Sequence, residues 1–245
     1  MPKIRIDKIL SSQGVGSRKD IHALIKSCRI KADNEIIISF DFKIDPFEVK
    51  IFIDGELIKY QQYIYIMLNK PSGILCVSSD PKQKTIIDLL DSKTQKRKVF
   101  PAGRLDKDTI GFVFVTDDGE LAHKIMSPRS NVSKTYHAVL DGKITFDQIA
   151  QLEQGVILED GHQCLSCSVK ILKEGTNPLV EIILTEGKYH QVKRMFKSIG
   201  REVVKLKRLK IGGLPLDPSL GLSEYKFVGQ EEIELIFGDD SQKLV

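Results

Sequence analysis

The sequence has no apolar run approaching the ~20 residues that a bilayer-spanning helix needs, so no membrane partner is expected. Its opening stretch, Met1 to Leu10, lacks the apolar core and small-residue cleavage site of a signal peptide, and a cytoplasmic location is the expectation. Cysteine is scarce. The four that occur are Cys28, Cys76, Cys164 and Cys167, and in a reducing compartment free thiols are the default. Cys164 and Cys167 form a lone CxxC with no second ligand pair at matching spacing, which argues against zinc. Residues 163–169 also read as a strand, where positions three apart face opposite sides. Two buried or half-buried thiols are expected there. There is no glycine-rich nucleotide loop, no internal repeat and no low-complexity tract. No metal and no cofactor is expected.

What is present is ordinary globular material. The 245 residues are 41% hydrophobic and 29% charged, which suits one or two domains, and nothing demands more than a monomer. The net charge is only +4, but it is unevenly placed. Residues 1–31 hold eight Lys/Arg against two Asp, and residues 186–210 hold nine against two Glu; residues 224–240 hold six acids and one Lys. Basic charge gathered in two stretches fits a polyanion held at two places; solvated helix faces fit equally well.

Ile6, Ile9 and Leu10 have helical spacing, and Gly14 is a stop. Ser17 reads as an N-cap with Asp20 at the third helical position, opening a helix with Ile21, Leu24, Ile25 and Cys28 on one side. Residues 35–42 read as β-structure, and 48–53 as a short strand. The elements Arg5-Ile6-Asp7-Lys8-Ile9-Leu10, Gly16-Ser17-Arg18 and the helix to Arg29-Ile30 resemble an S4 RNA-binding domain, here residues 1–53. The resemblance is looser in the following hairpin, where Asn34-Glu35 stands for the usual Asn-Gly. It implies backbone contacts to structured RNA through Arg5, Lys8, Arg18, Lys19, Lys26 and Arg29. A linker is expected within 54–61.

From residue 62 to 238 strand-like runs recur, at 63–68, 111–115, 134–140, 180–184 and 233–237. The gaps are not regularly helical, so parallel crossovers are not favoured. The expected class is α+β, with a mixed, mostly antiparallel sheet and flanking helices.

The chemistry centres on Pro101-Ala102-Gly103-Arg104-Leu105-Asp106-Lys107-Asp108-Thr109-Ile110-Gly111. An apolar strand follows, then Thr116-Asp117-Asp118-Gly119-Glu120-Leu121-Ala122-His123, whose acids suit a helix start. On these residues alone the loop could be a surface turn. It could also be an acid pair like that of the haloacid-dehalogenase phosphatases, although those acids should close a buried apolar strand and residues 102–105 do not form one. The wider pattern adds Ser127-Pro128-Arg129, Lys134-Thr135-Tyr136, Glu186-Gly187-Lys188-Tyr189-His190-Gln191-Val192-Lys193-Arg194-Met195 and Arg208-Leu209-Lys210-Ile211-Gly212-Gly213. Taken in order, these resemble the RNA pseudouridine synthases, in the bacterial branch that joins an S4 domain to the catalytic domain and modifies 16S ribosomal RNA.

The resemblance implies conversion of a specific uridine, position 516 of that RNA, to pseudouridine; the large-subunit (23S) enzymes are the neighbouring alternative, and a non-catalytic S4 assembly factor the alternative of another class. It implies Asp106 as the catalytic carboxylate, Lys193 as its cationic partner and Tyr136 stacked on the target base. Arg104 would enter the RNA as the base is flipped, and Arg194 would be a further RNA contact. Asp108 and Thr109 would hold the loop's shape, and His190 and Gln191 would support the site. The partner is ribosomal RNA, free or within a small-subunit assembly intermediate. The helix after Lys188 would bury Tyr189, Val192, Met195, Phe196 and Ile199 on one face.

Overall fold

A computed structural model describes residues 3–238, which form two compact units. The first comprises residues up to Ile64 together with Leu90–Val99; the second comprises Tyr65–Leu89 and the chain from Phe100 on.

The first unit carries β1 (Ile4–Arg5), α1 (Ile6–Ser12), α2 (Arg18–Lys26), β2 (Ile30–Ala32), β3 (Glu35–Ile36), β4 (Lys43–Ile44), β5 (Ile51–Ile53) and β6 (Glu56–Ile58). Its core is aliphatic, built on Ile6, Ile9 and Leu10 of α1 and Ile21 and Ile25 of α2. A reciprocal capping box opens α2: Ser17 Oγ accepts from Asp20 N–H, and Asp20 accepts from Ser17 N–H at 2.9 Å. The helix stops at Lys26, so Cys28 lies beyond it and is exposed. The β2–β3 hairpin turns on Asp33-Asn34, with Asp33 in the left-handed region at φ 51°.

Three sequence expectations fail here. Residues 35–42 do not continue as a strand beyond Ile36; Ile37 is buried, while Ile38 is 81% exposed and Phe40 and Phe42 also face out. Apolar composition without an alternating burial partner does not make a strand. The boundary after residue 53 falls inside the β5–β6 hairpin, whose register pairs Ile51 with Ile58, so the unit continues past it. The unit also takes back Leu90–Val99, which includes α3 (Ser92–Lys96). Leu90 and Val99 are buried, and Arg97 donates to Gln13 Oε1 and to Gln61 O, each at 3.0 Å.

The second unit is α+β and mostly antiparallel. Its strands are β7 (Tyr65–Lys70), β8 (Phe100–Pro101), β9 (Ile110–Thr116), β10 (Lys134–Leu140), β11 (Ser168–Lys173), β12 (Leu179–Leu184), β13 (Val203–Ile211), β14 (Leu214–Pro215) and β15 (Tyr225–Phe227). The order is β11-β12-β10-β13-β9-β7-β15, with β8 on β9 and β14 on β13. Among the described strands only β9 and β13 run parallel. Four helices pack on it: α4 (Gly119–Met126), α5 (Phe146–Gln154), α6 (Gln191–Ser198) and α7 (Gln230–Phe237). One core cluster lies around β10, β12, α5 and α6, and a second around β9, α4 and α7.

Residues 233–237, read as a strand, belong to α7. Gly229 N–H is capped by Glu232, acids fill the first turn, and Ile233 and Ile236 are buried at helical spacing. Residues 163–167 are not strand either, since β11 starts at Ser168.

Candidate active site

The Asp106 loop joins β8 to β9, and its shape follows from local chemistry. Gly103 and Gly111 both take positive φ, 94° and 102°, which an L side chain rarely adopts. At Gly111 a methyl would also run into the Arg208 carbonyl of the neighbouring strand. Leu105 is buried and anchors the middle of the loop. Beneath it lies Lys70 at the end of β7, 0% exposed, whose Nζ donates to the carbonyls of Pro71 (3.0 Å), Lys107 (3.0 Å) and Thr109 (2.9 Å). Gly73 N–H adds a bond to Lys107 O at 2.8 Å. Burial holds the Lys70 ammonium below its ordinary pKa, opposed by the nearby Cys76, Asp108 and Asp106. Lys70 was not among the residues that the motifs singled out. The signal was a lysine ending an apolar run immediately before Pro71-Ser72-Gly73.

Asp106 is 21% exposed, with Nε2 of His190 3.4 Å from Oδ1 and Nζ of Lys193 3.5 Å from Oδ2. The expected Lys193 contact is therefore present, but Lys193 is shared. Its ammonium donates to both oxygens of Asp108, at 2.6 and 2.7 Å. That bond, ahead of the opposing burial, holds the Asp108 carboxyl below its ordinary range. Asp108 thus positions the cation as well as shaping the loop, and the acid pair a phosphatase would need for magnesium is taken up by the lysine.

The two groups facing Asp106 come from one ordered segment. Glu186, buried, accepts from Gln191 Nε2 at 2.7 Å and from Leu165 N–H at 2.8 Å; Gln191 Oε1 accepts from Lys188 N–H at 2.8 Å. These bonds fix the turn that leads into α6. His190 opens the helix in the left-handed region at φ 50°. Tyr189 is outside the helix and 75% exposed, stacked on His190 at 3.8 Å, not part of the apolar face.

A cleft of 920 Å³ contains Asp106, Arg104, Tyr136, Lys134, His190 and Arg208 among its lining residues. Arg104 is exposed, and Tyr136 is half-buried on β10. Tyr136 pairs across the sheet with Ile182 of β12 and Arg208 of β13. Lys134 is buried, its Nζ donating to Val132 O at 2.6 Å and Ile125 O at 3.2 Å. Burial first, then the charge of Arg208, push its pKa down to about 8. Arg194, expected on RNA, instead pairs with Asp160 at 2.7 Å.

In the first unit, Arg5 is bonded to Asp7 (2.9 Å) and Arg29 to Asp54 (2.8 Å). Lys19 and Lys26 are exposed on α2. Lys8 and Arg18 line a depression of 620 Å³ together with Lys96, Arg97 and Lys98, whose contribution the sequence reading missed.

A donor set suitable for a metal does occur: His162, Cys164 and Glu186 have ligand atoms within 4.8 Å of one another. The CxxC spacing plays no part, because Cys167 Sγ bonds the Leu152 carbonyl and burial raises its thiol to about 12. Burial and the Glu186 charge likewise raise the Cys164 thiol, and Glu186 already has hydrogen-bond donors.

Residues 64–198 match the family described as RNA pseudouridylate synthase. The uncharacterized RNA pseudouridine synthase YtzG of Bacillus subtilis is 41% identical over 95% of this chain and 98% of its own length. The ribosomal small subunit pseudouridine synthase A of Escherichia coli is 38% identical over 94% and 98%. A crystal structure of a pseudouridylate synthase superposes with a TM-score of 0.67 at 34% identity, covering 95% of this chain and 99% of that one.

Proposed function

Because the chain belongs to the RNA pseudouridylate synthase family, we propose that it converts one uridine of small-subunit ribosomal RNA to pseudouridine with Asp106 as the nucleophile. The observation that carries this reading is the placement of Asp106 in a cleft, within 3.5 Å of Lys193 and 3.4 Å of His190, with Tyr136 lining the same cleft.

The reaction breaks the C1′–N1 bond of uridine, turns the base and joins C5 to C1′. A carboxylate against C1′ forms a transient bond to, or neutralises, the positive sugar carbon. Lys193, tied to Asp108, keeps a fixed cation beside that carboxylate. Tyr136 offers its ring to the base. Arg104, exposed in the cleft lining, fills the space left in the RNA as the nucleotide is extruded, which costs a few kcal/mol.

The first unit is assigned as an S4-type RNA-binding domain, supported by its two helices α1 and α2, the second opened by a capping box, and by its basic depression. Residues Lys8, Arg18, Lys19 and Lys26 carry phosphate contacts there, whereas Arg5 and Arg29 are held by Asp7 and Asp54. The small-subunit target follows the named Escherichia coli relative; the uridine is the one at position 516, met in free RNA or in an assembly intermediate by a monomeric, cytoplasmic enzyme. No helix among the described residues is long and apolar enough to cross a membrane.

Mapping pseudouridine in both ribosomal RNAs of cells with and without this chain tests the reading. Loss of one small-subunit pseudouridine, restored by the wild-type chain, is expected. Loss of a large-subunit site instead would transfer the assignment to the other RNA.

A further inference from the structure

Arg208 is directly opposite Tyr136 in the β10–β13 register, and both line the cleft that holds Asp106. Opposed residues of paired strands project from the same face of a sheet. The Arg208 side chain is 3% exposed, and its Nε donates to Phe112 O at 2.7 Å. Its Nη2 is fully buried and has no hydrogen-bond partner among the described residues.

No described carboxylate pairs with this guanidinium. Its titratable neighbours on the same cleft wall are another cation, Lys134, and the Cys76 thiol, which burial pushes up and so keeps protonated. A guanidinium does not shed its proton. Burying one without a counter-charge is costly, and such a cost persists where the missing partner arrives with the substrate. Lys134 cannot be that partner, since it carries the same sign of charge and its Nζ donates to two carbonyls.

We propose that the Arg208 guanidinium binds a carbonyl oxygen of the target uracil and holds the base while it is detached from the sugar. This rests on pseudouridine formation as the reaction of the cleft. When C1′–N1 breaks, the electron pair stays on N1, and the uracil anion spreads its charge onto O2 and O4. C5 then bonds C1′, the proton on C5 leaves and N1 takes one up, so the sum is an isomerisation with no co-reactant. A fixed cation at a carbonyl binds the anion more strongly than the neutral base. It therefore lowers the barrier to bond breaking and keeps the loose base in the cleft. A backbone phosphate is better met by the exposed Arg104, Lys107 and Lys188.

The test uses the full chain and a small-subunit RNA transcript, comparing wild type with Arg208→Met and Arg208→Lys. Single-turnover rate at saturating RNA, RNA affinity and melting temperature are measured on each. Arg208→Met should melt no lower than wild type, because an unpaired buried charge has been removed, and should bind RNA within about threefold. Its single-turnover rate should fall on the order of 10²–10³-fold, the loss typical of one transition-state donor. Arg208→Lys should recover part of that loss, remaining about tenfold below wild type.

A folded Met variant with the wild-type rate overturns the proposal. So does a loss confined to RNA affinity with a shallower salt dependence, which would mark a phosphate contact. If the Met variant fails to fold, the Lys variant decides: a tenfold slower rate at normal melting supports the assignment, and a wild-type rate overturns it. A wild-type chain that makes no pseudouridine on either ribosomal RNA would bring down the functional reading, whereas loss in the variants alone bears on Arg208.

Discussion

The two units of this chain treat positive charge in opposite ways. In the first, Arg5 and Arg29 are neutralised by Asp7 and Asp54, and of the cations around its depression Lys8, Arg18, Lys96 and Lys98 stand in solvent while Arg97 is buried. In the second, Lys70, Lys134 and Arg208 are buried, two of them held by backbone carbonyls and the third left with an unpartnered nitrogen. Solvated charge attracts a polyanion without discriminating among sequences. Buried charge is expensive, so it is retained where it fixes a backbone or meets one specific group. Binding and chemistry are thus separable by where the charge sits, and substitutions can test the separation.

The largest effect is expected in the second unit. Asp106→Asn should abolish pseudouridine formation, by at least about 10⁴-fold, since the amide is neither anion nor nucleophile. RNA affinity, measured by filter binding, should stay within about twofold. Equal losses of binding and turnover would erase the distinction between the units.

Next in size, Lys8→Glu with Arg18→Glu should weaken RNA affinity by about tenfold or more and flatten the log–log salt dependence by about one to two units, roughly one per lost phosphate contact. The single-turnover rate at saturating RNA should not change. Arg29→Ala, whose guanidinium is already engaged by Asp54, should alter affinity far less. If Arg29→Ala matched the double variant, the division between paired and free cations would be wrong.

The smallest effect concerns Asp108. Its carboxyl titrates below the ordinary range because Lys193 bonds it. The folded state therefore binds fewer protons than the unfolded one, and the pair's stabilisation is present above the unfolded pKa of about 4 and lost as pH falls through the lower folded value. Urea unfolding between pH 5 and 3 should be less acid-sensitive in Asp108→Asn than in wild type. Turnover at pH 7 should fall only a few fold, with Lys193 left to Asp106 alone. An unchanged acid slope would show that the Asp108–Lys193 bond contributes nothing to the fold.

The Asp106 loop was legible in sequence because its constraints are local: two glycines with positive φ, a buried Leu105 and an acid between them. Tyr136 and Lys193 were legible only through a chain-long resemblance. The approach of Lys193 to Asp106 and the place of Tyr136 in the same cleft depend on sheet register and on the Glu186–Gln191 bonds, which no short window contains. Lys70 was hidden for the same reason, and Arg208, although it opens one of the motifs, was given no role. A lysine or arginine in a strand reads as a solvated edge, and only the assembled sheet shows that backbone carbonyls meet it and, at Arg208, that one nitrogen has no partner. The strand expected at 233–237 failed for a correctable reason. Ile233, Ile236 and Phe237 recur at helical spacing behind an acidic first turn, and β-like composition had outweighed that period. The S4-like boundary failed because the return of Leu90–Val99 to the first unit, with Arg97 bonded to Gln13 and Gln61, is a long-range fact.

That returning segment constrains how the protein is made. The chain leaves the first unit at Ile64 and supplies its last piece only with Leu90–Val99. On a ribosome adding about 5–20 residues per second, the wait between those points is about two to seven seconds. During that wait the first unit lacks the Arg97 bonds to Gln13 and Gln61, and β7 has been synthesised without its later partner β9. A pause in translation just before residue 90 would lengthen that wait.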